Sequence, residues 1–235
     1  MDLFENTSSL PETRYRDSIR SFVELLKRAS LNLPAMVLGT FLSEPLQALR
    51  AGVLCPFGWM QAFHFHNLNP HEVAEEHKSL RPILLIHGDY HNQSAWLTLA
   101  SFLKRENIGP VYTVNLPNGP ITDVDYRILN KKVDEIIKKH PQKIQIDIVG
   151  HSRGGDIAYD FALQRPQDIR KVIKMGSILT QENLFDSVYE ISAHYDVLET
   201  NPSQIPKKQH LTVPTGHLGL IFSDKVLKQI IQWLK

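Results

Sequence analysis

The chain has 235 residues, 42% of them hydrophobic and 22% charged, with 26 basic against 25 acidic side chains. This is the balance of a soluble globular protein long enough to bury a core without disulfides, and a net charge of +1 excludes nucleic acid or an anionic surface as the dominant partner. The single cysteine, Cys55, excludes an internal disulfide framework.

The opening residues Met1-Asp2-Leu3-Phe4-Glu5 carry neither the basic nor the apolar region of a secretory signal, so a cytoplasmic location is expected. Tyr15, Ile19, Phe22, Val23, Leu25 and Leu26 recur at helical spacing and predict an amphipathic helix over about residues 14 to 29. Ser43-Glu44-Pro45 reads as a second helix start, with the helix running to about Leu54 before Cys55 to Trp59 breaks it. No charged residue lies between Arg50 and Glu72, but Gly52, Pro56, Gly58 and several histidines interrupt the run. A spanning helix needs ~20 mostly apolar residues, so this segment is expected to be buried or interfacial, with peripheral lipid contact as one use. His64, His66, His71 and His77 lack the defined ligand spacing of a metal site, and no metal is expected.

Beyond Arg81 the pattern becomes strand, helix, strand, helix. The apolar run Pro82 to Gly88 predicts a strand, and Trp96 to Arg105 a helix. Val111 to Pro117 predicts the next strand. Thr122 with Asp125 caps a helix through about Lys139, whose apolar face is Ile128, Leu129, Val133, Ile136 and Ile137. Lys143 to Gly150 reads as a strand, Gly154 to Gln164 as a helix, and Lys171 to Ser177, Val188 to Asp196 and Gln209 to Pro214 as three more strands. Val226 to Leu234 closes the chain as a helix. Buried strands alternating with amphipathic helices imply an α/β fold: a mostly parallel sheet with helices on both faces, preceded by a helical N-terminal segment. The expected division is an extension over 1–79 and a catalytic core over 80–235.

In such sheets ligands bind at the carboxyl ends of the strands. Those positions hold His87-Gly88-Asp89, Asn115, Gly150-His151-Ser152, Gly176-Ser177, Asp196 and the loop with His217. Gly150-His151-Ser152-Arg153-Gly154 fits G-x-S-x-G between a strand and a helix, the setting of a nucleophile elbow. Small neighbours let backbones crowd such a corner, and the N-terminus of the following helix favours negative charge beside the serine. Neither a P-loop nor a dinucleotide glycine fingerprint is present, so no cofactor is expected.

Four segments, "PILLIHGDYHNQSAW", "VGHSRGG", "SAHYDVLE" and "GHLGLIFSDKVLKQIIQWL", together resemble the lipase/esterase branch of the α/β-hydrolase superfamily, over roughly two thirds of the chain and in the order Ser, Asp, His. The resemblance implies an α/β-hydrolase fold with Ser152 as nucleophile, His217 as general base and Asp196 as the acid that orients it. Asp186 and Glu199 compete with Asp196 for the acid, which is favoured by its place directly after a strand. The resemblance also implies an oxyanion hole made by the backbone N–H groups of Asp89 and Arg153, with His87, Gly88, Tyr90 and His151 as candidate substrate contacts.

Only the eleven residues Ser177 to Ser187 separate two strands where many relatives insert a cap. The core therefore resembles the minimal type, and residues 1–79 are expected either to lie over the Ser152 cleft as acyl-binding surface or lid, or to cover a sheet edge. Arg153 is unusual for minimal lipases. Its side chain is expected along the cleft wall or on an acid such as Asp89. The expected activity is hydrolysis of a small-molecule ester or lipid through an acyl-enzyme. A thioesterase, an acyltransferase, or a silent hydrolase fold used for binding are the alternatives.

Overall fold

The computed structural model describes residues 44–49, 81–140, 145–177, 185, 187–196 and 206–235. The helix expected over 14–29, the histidine cluster at 64–77, the boundary at 79/80, Asp186 and Glu199 lie outside them. In chain order the elements are a short helix α1 (44–49), β1 (Ile83–Ile86), α2 (Leu97–Arg105), β2 (Val111–Val114), α3 (Asp123–Lys139), β3 (Ile146–His151), α4 (Arg153–Gln164), β4 (Ile169–Met175), β5 (Val188–Ala193), β6 (His210–Val213) and α5 (Asp224–Leu234). Single 3-10 turns cover Gln93–Trp96, Lys207–Gln209 and Leu218–Phe222.

The six strands form one sheet in the order β2-β1-β3-β4-β5-β6, and every neighbouring pair is parallel. Alternation along the strands builds two cores. Ile83, Leu85, Val149, Ile173 and Ile191 point to one face, under α2 and α5. Leu84, Ile86, Ile148 and Val172 point to the other, under α3 and α4. β1 is apolar at all four positions because both its faces are covered. Each buried Leu or Ile side chain contributes about 1.5–3 kcal/mol, so these layers supply the main drive for closing the sheet.

Local chemistry sets the helix ends that matter to the site. At the start of α3 the Asp125 carboxylate accepts from the Thr122 N–H at 2.8 Å and from its Oγ1 at 3.2 Å, as the Thr-x-x-Asp spacing predicts. α4 begins at Arg153 with its inward face, Ile157, Ala158, Phe161 and Ala162, wholly buried. Less expected are Lys174 and Glu190, which sit side by side in the β4/β5 register and are both buried.

From β1 the chain steps outward to β2, then returns to β3 on the other side of β1. The winding direction therefore reverses between β1 and β3. The carboxyl ends of these two strands are the crevice where open α/β sheets bind ligands, and they carry His87-Gly88 and His151-Ser152.

Candidate active site

Ser152 joins β3 to α4 with φ 53° and ψ −129°, a conformation that costs a non-glycine residue energy and persists only when its surroundings impose it. Here the Ser152 N–H donates to the Met175 carbonyl at 2.7 Å, and the Gly155 N–H donates to the Ser152 carbonyl at 2.8 Å. A Cβ on Gly150 would stand 2.4 Å from the Gly154 carbonyl oxygen, and one on Gly154 2.4 Å from that of Ile86. Any side chain at either place would force the corner open. Gly88 faces the same corner, since a Cβ there would sit 3.0 Å from the Ser152 Cβ. The loop after β1 and the serine corner thus share one crevice.

His217 precedes the 3-10 turn Leu218–Phe222. Its Nδ1 lies 2.6 Å from Asp196 Oδ2, with the Asp196 side chain fully buried. The Nδ1–H donates to the Asp196 carboxylate, which leaves the Nε2 lone pair free to accept. The ring stands against Gly176, where a Cβ would come within 3.1 Å of its Cε1. Gly176 follows Met175, the residue whose carbonyl holds the Ser152 amide. The structure therefore brings Ser152, Asp196 and His217 to one edge of the sheet, from the ends of β3, β5 and β6.

His151 is buried, and its Nε2–H donates to the His217 carbonyl at 3.2 Å. The two rings are 4.7 Å apart. Burial first, then the neighbouring His217, push its pKa well below the usual histidine value. His87 is similarly enclosed: its Nε2 accepts from the Leu116 N–H at 3.0 Å, so its Nδ1–H donates to the Gly88 carbonyl at 2.7 Å. Burial lowers its pKa to about 4, against the opposing bond to Gly88. Both His87 nitrogens are engaged internally, which makes the ring a brace for the loop.

Three further bonds brace the same loop. Asp89 Oδ1 accepts from the Gly119 N–H at 2.8 Å. The Tyr90 N–H donates to Asn118 Oδ1 at 2.9 Å, and the Gln93 N–H to Asn115 Oδ1 at 2.8 Å. Tyr90 has φ 55° and its side chain is 82% exposed, so it stands at the mouth of the crevice.

The Arg153 side chain pairs with an acid, as one of the two expectations had it, but the acid is Asp125 rather than Asp89. Its Nη2 donates to Asp125 Oδ2 at 2.8 Å and to the Pro120 carbonyl at 3.2 Å, with 9% of the arginine and none of the Asp125 side chain exposed. Asp89 is occupied by Gly119, whereas the capping carboxylate of α3 sits beside the first turn of α4. The arginine therefore locks two helix N-termini together, and its backbone N–H, first in α4, has no intrahelical acceptor. Among the described residues no His/Cys/Asp/Glu group could hold a metal, and no helix is long and apolar enough to cross a membrane.

No protein-family model matches the chain. The 1-acylglycerol-3-phosphate O-acyltransferase ICT1 of Saccharomyces cerevisiae is 25% identical over 222 residues, covering 75% of this chain and 53% of ICT1. The chain thus spans about half the length of that relative. Among solved structures, the mature Bacillus licheniformis lipase BlEst2 superposes with a TM-score of 0.52 at 13% identity, covering 72% of this chain and 97% of the lipase. ATU1826 of Agrobacterium tumefaciens, a protein of unknown function grouped with the α/β hydrolases, superposes with a TM-score of 0.50 at 15% identity over 66% of this chain and 84% of its own. The chain has the α/β-hydrolase fold.

Proposed function

We propose that this chain is a serine hydrolase of carboxylic esters that works through an acyl-enzyme. The observation that carries the reading is the buried Asp196–His217 pair standing at the edge where the strained Ser152 corner opens. Ser152 Oγ attacks the ester carbonyl carbon while His217 Nε2 takes its proton, and Asp196 stabilises the imidazolium that forms. The oxyanion of the tetrahedral intermediate is held by the N–H groups of Asp89 and Arg153, each donor worth about 10²–10³ in rate. Collapse breaks the ester C–O bond, and the leaving oxygen takes from His217 the proton that came from Ser152, departing as the alcohol. Water, activated by the same imidazole, then releases the acid and restores Ser152.

A fluorophosphonate probe tests this directly. Wild type is expected to label and to hydrolyse a p-nitrophenyl ester, with Ser152→Ala and His217→Ala doing neither. A wild-type chain that fails both leaves a silent binding fold.

A second reading has its own support, because the yeast relative is an acyltransferase by name. The same acyl-enzyme can be captured by an acceptor hydroxyl in place of water. Supplying 1-acylglycerol-3-phosphate with an acyl donor separates the two: acylated acceptor favours transfer, free acid alone favours hydrolysis. A thioester donor run beside the ester decides between those leaving groups.

A further inference from the structure

Residue 44 is remote in sequence from the site, yet its side chain reaches the histidine loop. The Glu44 carboxylate accepts from the Leu218 N–H at 3.1 Å through Oε2 and from the Gly219 N–H at 3.3 Å through Oε1. These are the first two amides after His217, at the start of a 3-10 turn that has no side-chain cap of its own. The first amides of such a turn lack partners within it and carry partial positive charge. An ionised carboxylate satisfies both with charge-assisted bonds.

Gly216 makes room for this contact. A Cβ there would lie 2.3 Å from Glu44 Oε1. Gly216 is not among the positive-φ glycines Gly109, Gly119 and Gly176, so its backbone does not require glycine; the carboxylate does. His217 is then held at three points: its ring by Asp196, its carbonyl by His151, and the amides that follow it by Glu44.

We propose that Glu44 is a positioning residue for the His217 imidazole, so that helix α1 belongs to the site rather than to an appendage. This rests on the serine-hydrolase reading and deepens it. Fixing the backbone that follows His217 restricts where its Nε2 can stand relative to Ser152 Oγ, and a misplacement of ~1 Å in such a pair costs on the order of 10² in rate. Glu44 touches no reacting atom. It acts through the turn.

The full-length chain provides the test in two independent readouts. Amide hydrogen exchange of Leu218 and Gly219 is expected to be slow in the wild type and at least about tenfold faster in Glu44→Ala, since the loss of a charged acceptor of this kind is worth ~1.5–3 kcal/mol. Turnover of p-nitrophenyl butyrate, normalised to fluorophosphonate-titrated sites, is expected to show kcat lower by about 10–100-fold in Glu44→Ala with KM little changed. Glu44→Gln keeps one acceptor oxygen but sets an NH2 group against the other amide, so it recovers only part of kcat. Gly216→Ala displaces the carboxylate and reproduces the loss, and the double variant is no worse than either single one. Should Glu44→Ala fail to fold, Gly216→Ala carries the same two measurements. Unchanged exchange, or a per-site kcat equal to wild type, overturns the proposal. A wild type that neither labels nor turns over ester overturns the hydrolase reading instead, and amide exchange then decides Glu44's hold on the turn by itself.

Discussion

On the β1 side of the crevice, four hydrogen bonds tie residues 87–93 to residues 115–119, across sequence separations of 22 to 30 residues. On the histidine side, His217 and the two residues after it are held by partners 21, 66 and about 175 residues away. The first wall joins loops that follow adjacent strands β1 and β2, so forming that strand pair already brings its partners together. The second wall exists only when the ends of β3, β5 and β6 and helix α1 have all assembled. One wall is therefore expected to be coupled to the stability of the sheet, and the other mainly to catalytic geometry.

The sharpest way to break that contrast lies on the histidine wall. His217→Asn is expected to lower kcat by on the order of 10⁴-fold or more, while urea unfolding shifts by only about 1 kcal/mol, because the amide keeps a donor for the buried Asp196 carboxylate. A large loss of stability would erase the distinction. Arg153→Ala should behave in the opposite sense. It leaves the buried Asp125 carboxylate with its Thr122 bonds alone and is expected to cost about 3 kcal/mol in denaturant unfolding, with activity surviving in the folded fraction because the donor proposed at Arg153 is main-chain.

Acid should reach the β1 wall through His87. Its folded pKa of about 4 lies below the usual 6.5, so between those values the unfolded chain binds the extra proton. Stability contributed by the neutral ring is complete above pH 6.5 and is lost as pH falls toward 4, by about 3 kcal/mol in total. Urea midpoints of wild type and His87→Gln, compared at pH 7 and pH 4.5, should converge at the lower pH. The smallest effect is expected from Asn118→Ala. It removes the acceptor that holds the Tyr90 amide, costing about 1 kcal/mol and a few-fold in kcat; a loss confined to KM would place Tyr90 in substrate binding alone.

Much of the architecture was legible before folding. The strands around Ile83, Ile146 and Ile169, the cap formed by Thr122 and Asp125, and the apolar face of α4 all follow from periodicity and turn chemistry within a few residues. The glycines around Ser152 announced a crowded corner, and the crowding is there. The place of Asp196 after β5 pointed to its partnership with His217, and the two are bonded. The partners of long polar side chains were not legible. Arg153 was expected on the cleft wall or on an acid such as Asp89, and the acid it meets is Asp125. His87 was expected near substrate and serves Leu116. Lys174 and Glu190 were read as parts of ordinary strands and are buried neighbours in the sheet.

The sequence by itself determined the alternation of strand and helix and the tight corner at Ser152, because each is written in neighbouring residues through side-chain period, backbone freedom and helix capping. The tertiary structure alone decided which charges meet. A carboxylate such as Asp125 or Glu44 can satisfy many donors, and the choice is made only when packing of the apolar faces brings one donor within 3 Å and shuts out the water that would otherwise compete for it.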